Sequence, residues 1–173
     1  MRVLILHSRY RSGAVSGENR VVEDEARLLR KGGHEVGVYA PGLDELGPID
    51  LIRSAATTIW SLGAAKKVAE AVERHHPDVV HVHNLFPALS PAVLRAVPDE
   101  VACVMTLHNY RLLCLPGTLL RDGRVCEDCL GRSPWPGVVH GCYQGSVGAS
   151  GVLASSLQLH RTIGSFRRVD LFA

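Results

Sequence analysis

Short apolar runs alternate with helical stretches along most of the chain, and this alternation limits the folds that the chain can adopt. Four runs have the length and the β-branched or apolar character of buried strands: residues 2–7, 35–40, 78–83 and 101–107. Helical patterning fills the intervals between them, at residues 18–31, 51–76 and 90–96. In the first of these helices we predict one broad apolar face formed by Val21, Val22, Ala26, Leu28 and Leu29. Since strands separated by helices form parallel β-α units with right-handed crossovers, the sequence predicts an α/β fold with a doubly wound parallel sheet.

The chain ends in a strand-like run at 169–173, directly after a long helical stretch at 146–167. A length of 173 residues suits one domain with a sizeable core. Because a domain rarely stops inside a buried strand, we expect residues 1–173 to be a single domain truncated from a longer protein. Within it we predict a loop at 43–50 and a helix break near Gly63.

Charge and hydropathy narrow the range of partners and locations. A net charge of +2 gives no electrostatic case for nucleic acid, although a pI of 8.4 permits weak contact with an anionic membrane surface. No apolar run reaches the roughly 18–20 residues that a transmembrane helix needs. The apolar core of the first residues is too short for a signal peptide, so we expect a cytoplasmic location.

The loop between the first strand and the first helix is rich in small residues and ends in Gly17, Glu18 and Asn19. Glycine lets the backbone approach a ligand, and the start of a helix offers free N–H groups to an anion. The spacing differs from the dinucleotide G-x-G-x-x-G pattern. We predict substrate contacts from Gly17, Glu18 and Asn19; the alternative is a surface loop that only caps the helix.

The third strand ends in a polar pair, His83 and Asn84. Alternation places His81 and His83 on the same face of that strand. We expect His81 to pack in the core, and we predict that His83 and Asn84 contact substrate. Two histidines at this spacing can also bind metal, but the sequence shows no carboxylate beside them.

The fourth strand is followed by His108 and Asn109. The carboxyl ends of parallel strands are where open α/β sheets bind ligands. An imidazole there can donate a hydrogen bond to a sugar hydroxyl or stabilise developing charge. We predict a catalytic role for His108 and a substrate contact for Asn109; the alternative is a histidine that only starts a loop.

Four cysteines follow within one turn-rich segment, at Cys114, Cys126, Cys129 and Cys142. The C-x2-C pair is typical of a structural zinc site, and the outer cysteines can complete a tetrahedron, with His140 as a substitute ligand. A metal would also order a segment with little apolar surface. Disulfides, free thiols and an iron–sulfur cluster are the alternatives.

Loop arginines form a further set of candidates for phosphate binding. They are Arg9, Arg11, Arg111 and Arg121. Exposed arginines in loops are more often only solvated, so this set is the weaker prediction.

Four stretches together resemble the N-terminal domain of retaining glycosyltransferases of family 4, which have the GT-B architecture. They are residues 1–32, 33–38, 77–84 and 106–109, and the resemblance covers nearly the whole chain. It implies a Rossmann-like domain that faces a second one across a cleft, with the Cys-rich segment as a loop insertion. The second domain, which holds most of the nucleotide-sugar site, is absent from these 173 residues.

The resemblance also implies a reaction. Such enzymes transfer a sugar from a nucleotide-sugar donor to an acceptor hydroxyl with retention, and this half shapes the acceptor side. His108 matches the histidine near the reacting sugar, and Gly17 matches the loop near the diphosphate, although Ser16-Gly17-Glu18 lacks the adjacent Gly-Gly. No catalytic metal is implied, so zinc at the cysteines would be structural, and the isolated half is expected to be inactive.

Other functions stay open at this point. One is a non-catalytic, zinc-stapled Rossmann-like module for binding or interaction; another is an iron–sulfur redox protein. The resemblance specifies neither the donor sugar nor the oligomeric state. The acceptor can be a glycan, a lipid-linked precursor or a small metabolite.

Overall fold

The computed structural model describes residues 1–9, 16–42 and 51–173, and of residues 51–54 it describes the backbone alone. The strands are β1 (Arg2–His7), β2 (Glu35–Tyr39), β3 (Val79–Asn84), β4 (Ala102–Met105), β5 (Leu120–Arg121), β6 (Arg124–Val125) and β7 (Leu171–Phe172). The helices are α1 (Gly17–Lys31), α2 (Leu51–Ile59), α3 (Leu62–His75), α4 (Trp135–Val139) and α5 (Val147–Thr162), with 3-10 helices at Pro91–Ala96 and Ser165–Arg168.

The main sheet confirms the predicted α/β fold. Its five strands run parallel in the order β2-β1-β3-β4-β7. The first crossover, from β1 to β2, moves in one direction along the sheet, and every later crossover moves in the other. The order therefore reverses between β1 and β3, and a crevice opens outside the carboxyl ends of these two strands.

Alternation along the strands divides the core into two layers. Val3 and Ile5 of β1 pack with Val22 and Ala26 of α1 on one face of the sheet. The intervening residues of β1, with Val80 and Val82 of β3, face α3 and α5 in the larger core. His81 and His83 therefore lie on the face that α1 covers.

The helix α1 matches its predicted range but not its whole predicted apolar face. Val22 and Ala26 are buried, whereas Val21 and Leu28 are 45% and 65% exposed. The apolar face is narrower than predicted because the contact with the sheet is made by Val22, Ala26 and Leu29, which leaves Val21 and Leu28 in solvent.

The long helical stretch at 51–76 is split, as predicted, although not at Gly63. It divides at Trp60–Ser61, because Ser61 caps α3 by accepting a hydrogen bond from the Ala64 N–H at 3.2 Å. α5 ends earlier than predicted, and a turn at Gly164 with φ of 73° leads into the second 3-10 helix. The loop predicted at 43–50 lies outside the described residues.

None of the described helices combines the length and apolar character that crossing a membrane requires.

Candidate functional site

Polar side chains gather at the switch point, where β1 and β3 end. The Ser8 N–H donates to the Asn84 carbonyl at 2.7 Å, which ties the two strand ends together. The ring of His7, the last residue of β1, is buried, and its Nε2 lies 2.7 Å from Asn19 Oδ1 on α1. The start of α1 is thus fixed against the carboxyl edge of the sheet.

Glu18 joins three separate parts of the chain. Its carboxylate accepts hydrogen bonds from Asn84 Nδ2 at 3.2 Å and from Asn109 Nδ2 at 2.9 Å. Glu18 also lies in the first turn of α1, where a negative charge is favoured by the helix dipole. Three of the predicted substrate-binding residues therefore form one hydrogen-bonded group.

Gly17 lies at the open side of this group. It is exposed, and no described atom comes within 4 Å of the position that its Cβ would take. Ser16 caps the helix there, because its Oγ accepts from the Asn19 N–H at 3.4 Å. The small residues at 12–15, in the loop before Gly17, lie outside the described residues.

The two predicted strand-end histidines are in contact. Nδ1 of His83 lies 2.9 Å from Nε2 of His108, and the two rings are stacked with centroids 5.2 Å apart. The His83 side chain is fully buried, whereas His108 is partly exposed. His83 therefore stands behind His108, and its predicted substrate contact stays a prediction.

A carboxylate that the sequence analysis missed lies beside these histidines. Glu25 of α1 places one oxygen 2.5 Å from His81 Nδ1 and the other 3.3 Å from His83 Nε2. The second nitrogen of His81 lies 2.8 Å from the Thr106 hydroxyl. His81 was predicted to pack in the core, but it is partly exposed and lies in a polar cluster beneath α1.

Burial lowers the pKa of two histidines at this site. It lowers the pKa of His83 to about 3, and the neighbouring His81, His108 and His7 lower it further. Burial likewise lowers the pKa of His7, against the opposing effects of the Asn19 hydrogen bond and the Glu18 charge. At neutral pH the rings of His83 and His7 thus each carry one N–H donor and one acceptor nitrogen.

A small cavity opens between the ends of β3 and β4. His83, Asn84, His108, Asn109 and Arg111 are among the residues that line it. The Arg111 guanidinium stacks 5.2 Å from the centre of a tyrosine ring, and within the described part of the chain its buried Nε has no hydrogen-bond partner.

Two of the other loop arginines form ion pairs, and the third lies outside the described residues. Arg9 forms an ion pair with Glu23 at 4.0 Å, and Arg121 pairs with Asp128 at 3.0 Å. Arg11 lies outside the described residues. Of the three described arginines in the predicted phosphate-binding set, Arg111 is the one that lines the same cavity as His108.

The cysteines of the insertion line a second cavity. Cys114, Cys126, Cys129 and Cys142 share its wall with His140. The five cysteines, all within the described part of the chain, are free thiols, and burial raises the pKa of both Cys129 and Cys142. Cys103 is buried in the core, as predicted.

Comparison with known proteins decides the family. The profile described as Glycosyltransferase Family 4 matches residues 15–133, which is more than half of the chain. The chain belongs to Glycosyltransferase Family 4. The matched range includes His108 and all the predicted substrate-binding residues, and it ends before Cys142.

Two proteins illustrate what this family 4 chain is similar to. Glycogen synthase 2 of Agrobacterium fabrum is 32% identical over 93 residues, which cover 54% of this chain and 17% of that protein. A solved α-glucosyltransferase, in complex with UDP and a 13-mer DNA containing a central A:G mismatch, matches with a TM-score of 0.47 and 13% identity. That match covers 99% of this chain and 36% of the other. The family 4 chain thus spans a minor part of each relative.

The family 4 site contains residues that sequence reasoning overlooked, namely His7, Glu25 and Thr106. One signal for Glu25 was available: it lies seven residues after Glu18, so two helical turns place both carboxylates on the same face of α1. That face is the one that Val22 and Ala26 bury. Acidic residues on the core face of a helix are a sign that polar partners lie opposite.

Proposed function

We propose that this chain is the acceptor-side half of a retaining glycosyltransferase that moves a sugar from a nucleotide-sugar donor to an acceptor hydroxyl. Family membership supports the transferase, and one observation supports the location of its site. That observation is the hydrogen bond between His83 and His108 at the open end of the sheet, beside the group held by Glu18.

His108 is the proposed catalytic residue. Its Nε2 is engaged by His83, which leaves Nδ1 for a substrate group. One of the two nitrogens donates and the other accepts, so the hydrogen bond holds the ring of His108 in one orientation. A ring fixed in this way can polarise a sugar hydroxyl, or stabilise charge as the nucleoside diphosphate leaves, without acting as a nucleophile.

The diphosphate would approach Gly17 and the start of α1. The open space over Gly17 gives a phosphate access to backbone N–H groups at the helix N-terminus. The negative charge of Glu18 opposes an anion at close range, and Arg111 on the cavity wall supplies the compensating positive charge. We propose that Glu18 fixes the two asparagines, and that Asn84 and Asn109 present their amides to the substrate.

The cysteine insertion is proposed to hold a structural zinc ion. Four thiols line one small cavity, and four thiolates are a typical zinc ligand set, but the sulfurs would have to move closer together to bind one ion. The insertion has only the short β5–β6 hairpin and α4 to order it, so a metal would contribute directly to its stability. The zinc would stiffen the wall beside the acceptor and take no part in transfer.

The donor side is assigned to a second domain that these residues do not include. We propose that it carries most of the nucleotide-sugar site, so residues 1–173 alone would be inactive. The name of the relative, glycogen synthase, favours a hexosyl donor and a glycan acceptor. Lipid-linked and small-molecule acceptors remain alternatives, and we place the enzyme in the cytoplasm, with weak contact to anionic membrane surfaces.

The proposal is tested with the whole protein that contains this domain. It is incubated with UDP-, GDP- and ADP-linked hexoses and with soluble glycans, and nucleoside diphosphate release is measured. We expect release with one of the donors and, by NMR of the product, an unchanged anomeric configuration. Inverted configuration would refute retention. No release, in protein that binds zinc and a partner protein, would favour the non-catalytic module.

A further inference from the structure

A second set of metal-ligand side chains lies beneath the site, between α1 and the sheet. One donor atom each from Glu25, His81 and His83 falls within 4.8 Å of the other two. Among the described residues, the cysteine sulfurs form no group that meets this criterion. We propose that Glu25, His81 and His83 bind one divalent transition-metal ion, with zinc as the representative.

Two contacts lie close to the ligand separations of a metal site, one of them after a small rotation of a side chain. With Zn–N and Zn–O bonds of about 2.0–2.1 Å, tetrahedral ligand atoms lie roughly 3.3 Å apart. His83 Nε2 and Glu25 Oε2 already lie at 3.3 Å. His81 Nδ1 and Glu25 Oε1 lie at 2.5 Å, so the partly exposed carboxylate of Glu25 must turn outward by about 1 Å.

A buried nitrogen lacks the partner that a metal would supply. Among the described residues, Nε2 of His83 has no hydrogen-bond partner, although Glu25 is near. The side chain of His83 is fully buried. Because buried polar atoms are nearly always satisfied, this atom points to a ligand in the space between the three side chains.

The nitrogens turned away from the cluster have the partners that metal-bound histidines use. His81 Nε2 lies 2.8 Å from the Thr106 hydroxyl, and His83 Nδ1 lies 2.9 Å from His108 Nε2. Such outer contacts fix the ring orientation and the tautomer of a ligating histidine. With a metal bound in place of the His81–Glu25 hydrogen bond, the inner nitrogens of both rings would serve as lone-pair donors.

The donor set identifies the class of metal. Two imidazoles and one carboxylate suit zinc, cobalt or ferrous iron, whereas magnesium and calcium prefer oxygen ligands alone. Three protein ligands leave a position for water. With a metal on Nε2, His83 carries its proton on Nδ1 and donates to His108, so the metal acts as a positioning group. The site does not depend on the proposed transferase activity.

The first test separates this site from the cysteines. Purified, metal-free protein is titrated with Co²⁺ at neutral pH while the visible spectrum is recorded. We expect about one equivalent whose d–d bands carry no thiolate-to-cobalt charge transfer, in addition to any signal from the cysteines. The same bands should persist in the Cys126→Ser/Cys129→Ser variant. If every cobalt band depends on thiolate, the proposal is overturned.

The second test removes one ligand at a time. Zn²⁺ affinity is measured by calorimetry for Glu25→Gln and His81→Gln, with Glu23→Gln on the same helix as the matched control. We expect Zn²⁺ affinity to fall by at least about 10-fold in Glu25→Gln and His81→Gln and to stay unchanged in Glu23→Gln. Thr106→Val, which removes an outer contact of His81, should weaken Zn²⁺ binding by about 10-fold. Equal affinity in Glu25→Gln and Glu23→Gln would overturn the proposal, and circular dichroism verifies that each variant is folded.

Discussion

Nδ1 of His83 lies 2.9 Å from Nε2 of His108, so a fully buried histidine at the end of one strand holds a partly exposed histidine after the next. The contact crosses 25 residues of sequence and bridges two neighbouring strands of the sheet. Since a ring held in this way has lost its freedom before substrate arrives, His83 is expected to act through His108 and not on the substrate itself.

Replacing His83 should therefore affect the chemical step more than binding. We expect His83→Leu to lower kcat by at least about 10-fold with little change in KM, because His108 loses its orientation. His83→Asn can place an amide near the former Nδ1 and should recover part of the rate. Steady-state kinetics of the whole protein measure both constants. A rise in KM at constant kcat would instead indicate that His83 contacts the substrate.

Glu18 should stabilise the fold through the hydrogen bonds that it accepts from two side-chain amides. In Glu18→Leu the Asn84 and Asn109 amides lose this carboxylate acceptor, and a hydrogen bond to a charged group contributes about 1.5–3 kcal/mol. The control is Glu23→Leu on the same helix, which removes an exposed ion pair worth at most about 1 kcal/mol. Urea unfolding gives both values. Equal losses would show that the Glu18 contacts do not stabilise the fold.

His160 joins α5 to the end of α2 and should make the fold sensitive to acid. Its ring is buried, its nitrogens lie 2.9 Å from the Ile59 carbonyl and 2.8 Å from the Ser165 hydroxyl, and it stacks on Trp60. Burial lowers its pKa below the ordinary value of 6.5. The unfolded chain therefore binds a proton more readily, so stability present above pH 6.5 is lost as the pH falls toward the folded pKa.

The measurement is unfolding free energy between pH 7.5 and pH 5, compared between the parent protein and His160→Gln. The variant should be less stable at pH 7.5 but should lose less stability on acidification. Parallel curves would mean that His160 takes no part in the acid response.

Replacing Gly137 by alanine should destabilise the fold, whereas the same change at Gly151 in α5 should not. A Cβ at Gly137 would lie 2.8 Å from Leu115 Cδ1, so Gly137→Ala forces α4 away from the cysteine segment and should cost about 1–3 kcal/mol. A Cβ at Gly151 meets a side-chain atom only at 3.9 Å, and Gly151→Ala should stabilise α5 by about 0.4–1 kcal/mol. Thermal unfolding of the two variants should therefore shift in opposite directions.

The fold was predictable because the strands are buried on both faces. The run of β1 buries Leu4 and Leu6 in one core and Val3 and Ile5 in the other, and such runs are recognisable without knowledge of their neighbours. The parallel direction of the strands also followed from the helical stretches between them. The predicted apolar face of α1 was partly wrong because the exposure of Val21 and Leu28 depends on how the helix packs on the sheet.

The site was predictable where it follows a strand end or begins a helix. His83, Asn84 and His108 follow strands and Glu18 begins α1, so the sequence indicated that they would lie at one edge. Glu25 lies in mid-helix, and its contact with His81 and His83 depends on the rotation of α1 over the sheet. His7, the last residue of β1, had the same strand-end signal and was overlooked, whereas Thr106 reaches the cluster through the register of the strands.

The rate of sugar transfer in His108→Asn tests the central claim most directly. The whole protein is assayed with its best nucleotide-sugar donor, and His76→Asn, an exposed histidine after α3, is the matched control. We predict that His108→Asn lowers kcat by at least about 100-fold while the control keeps its rate, since positioned imidazoles contribute on this scale. Equal rates in the two folded variants would contradict a catalytic role for His108.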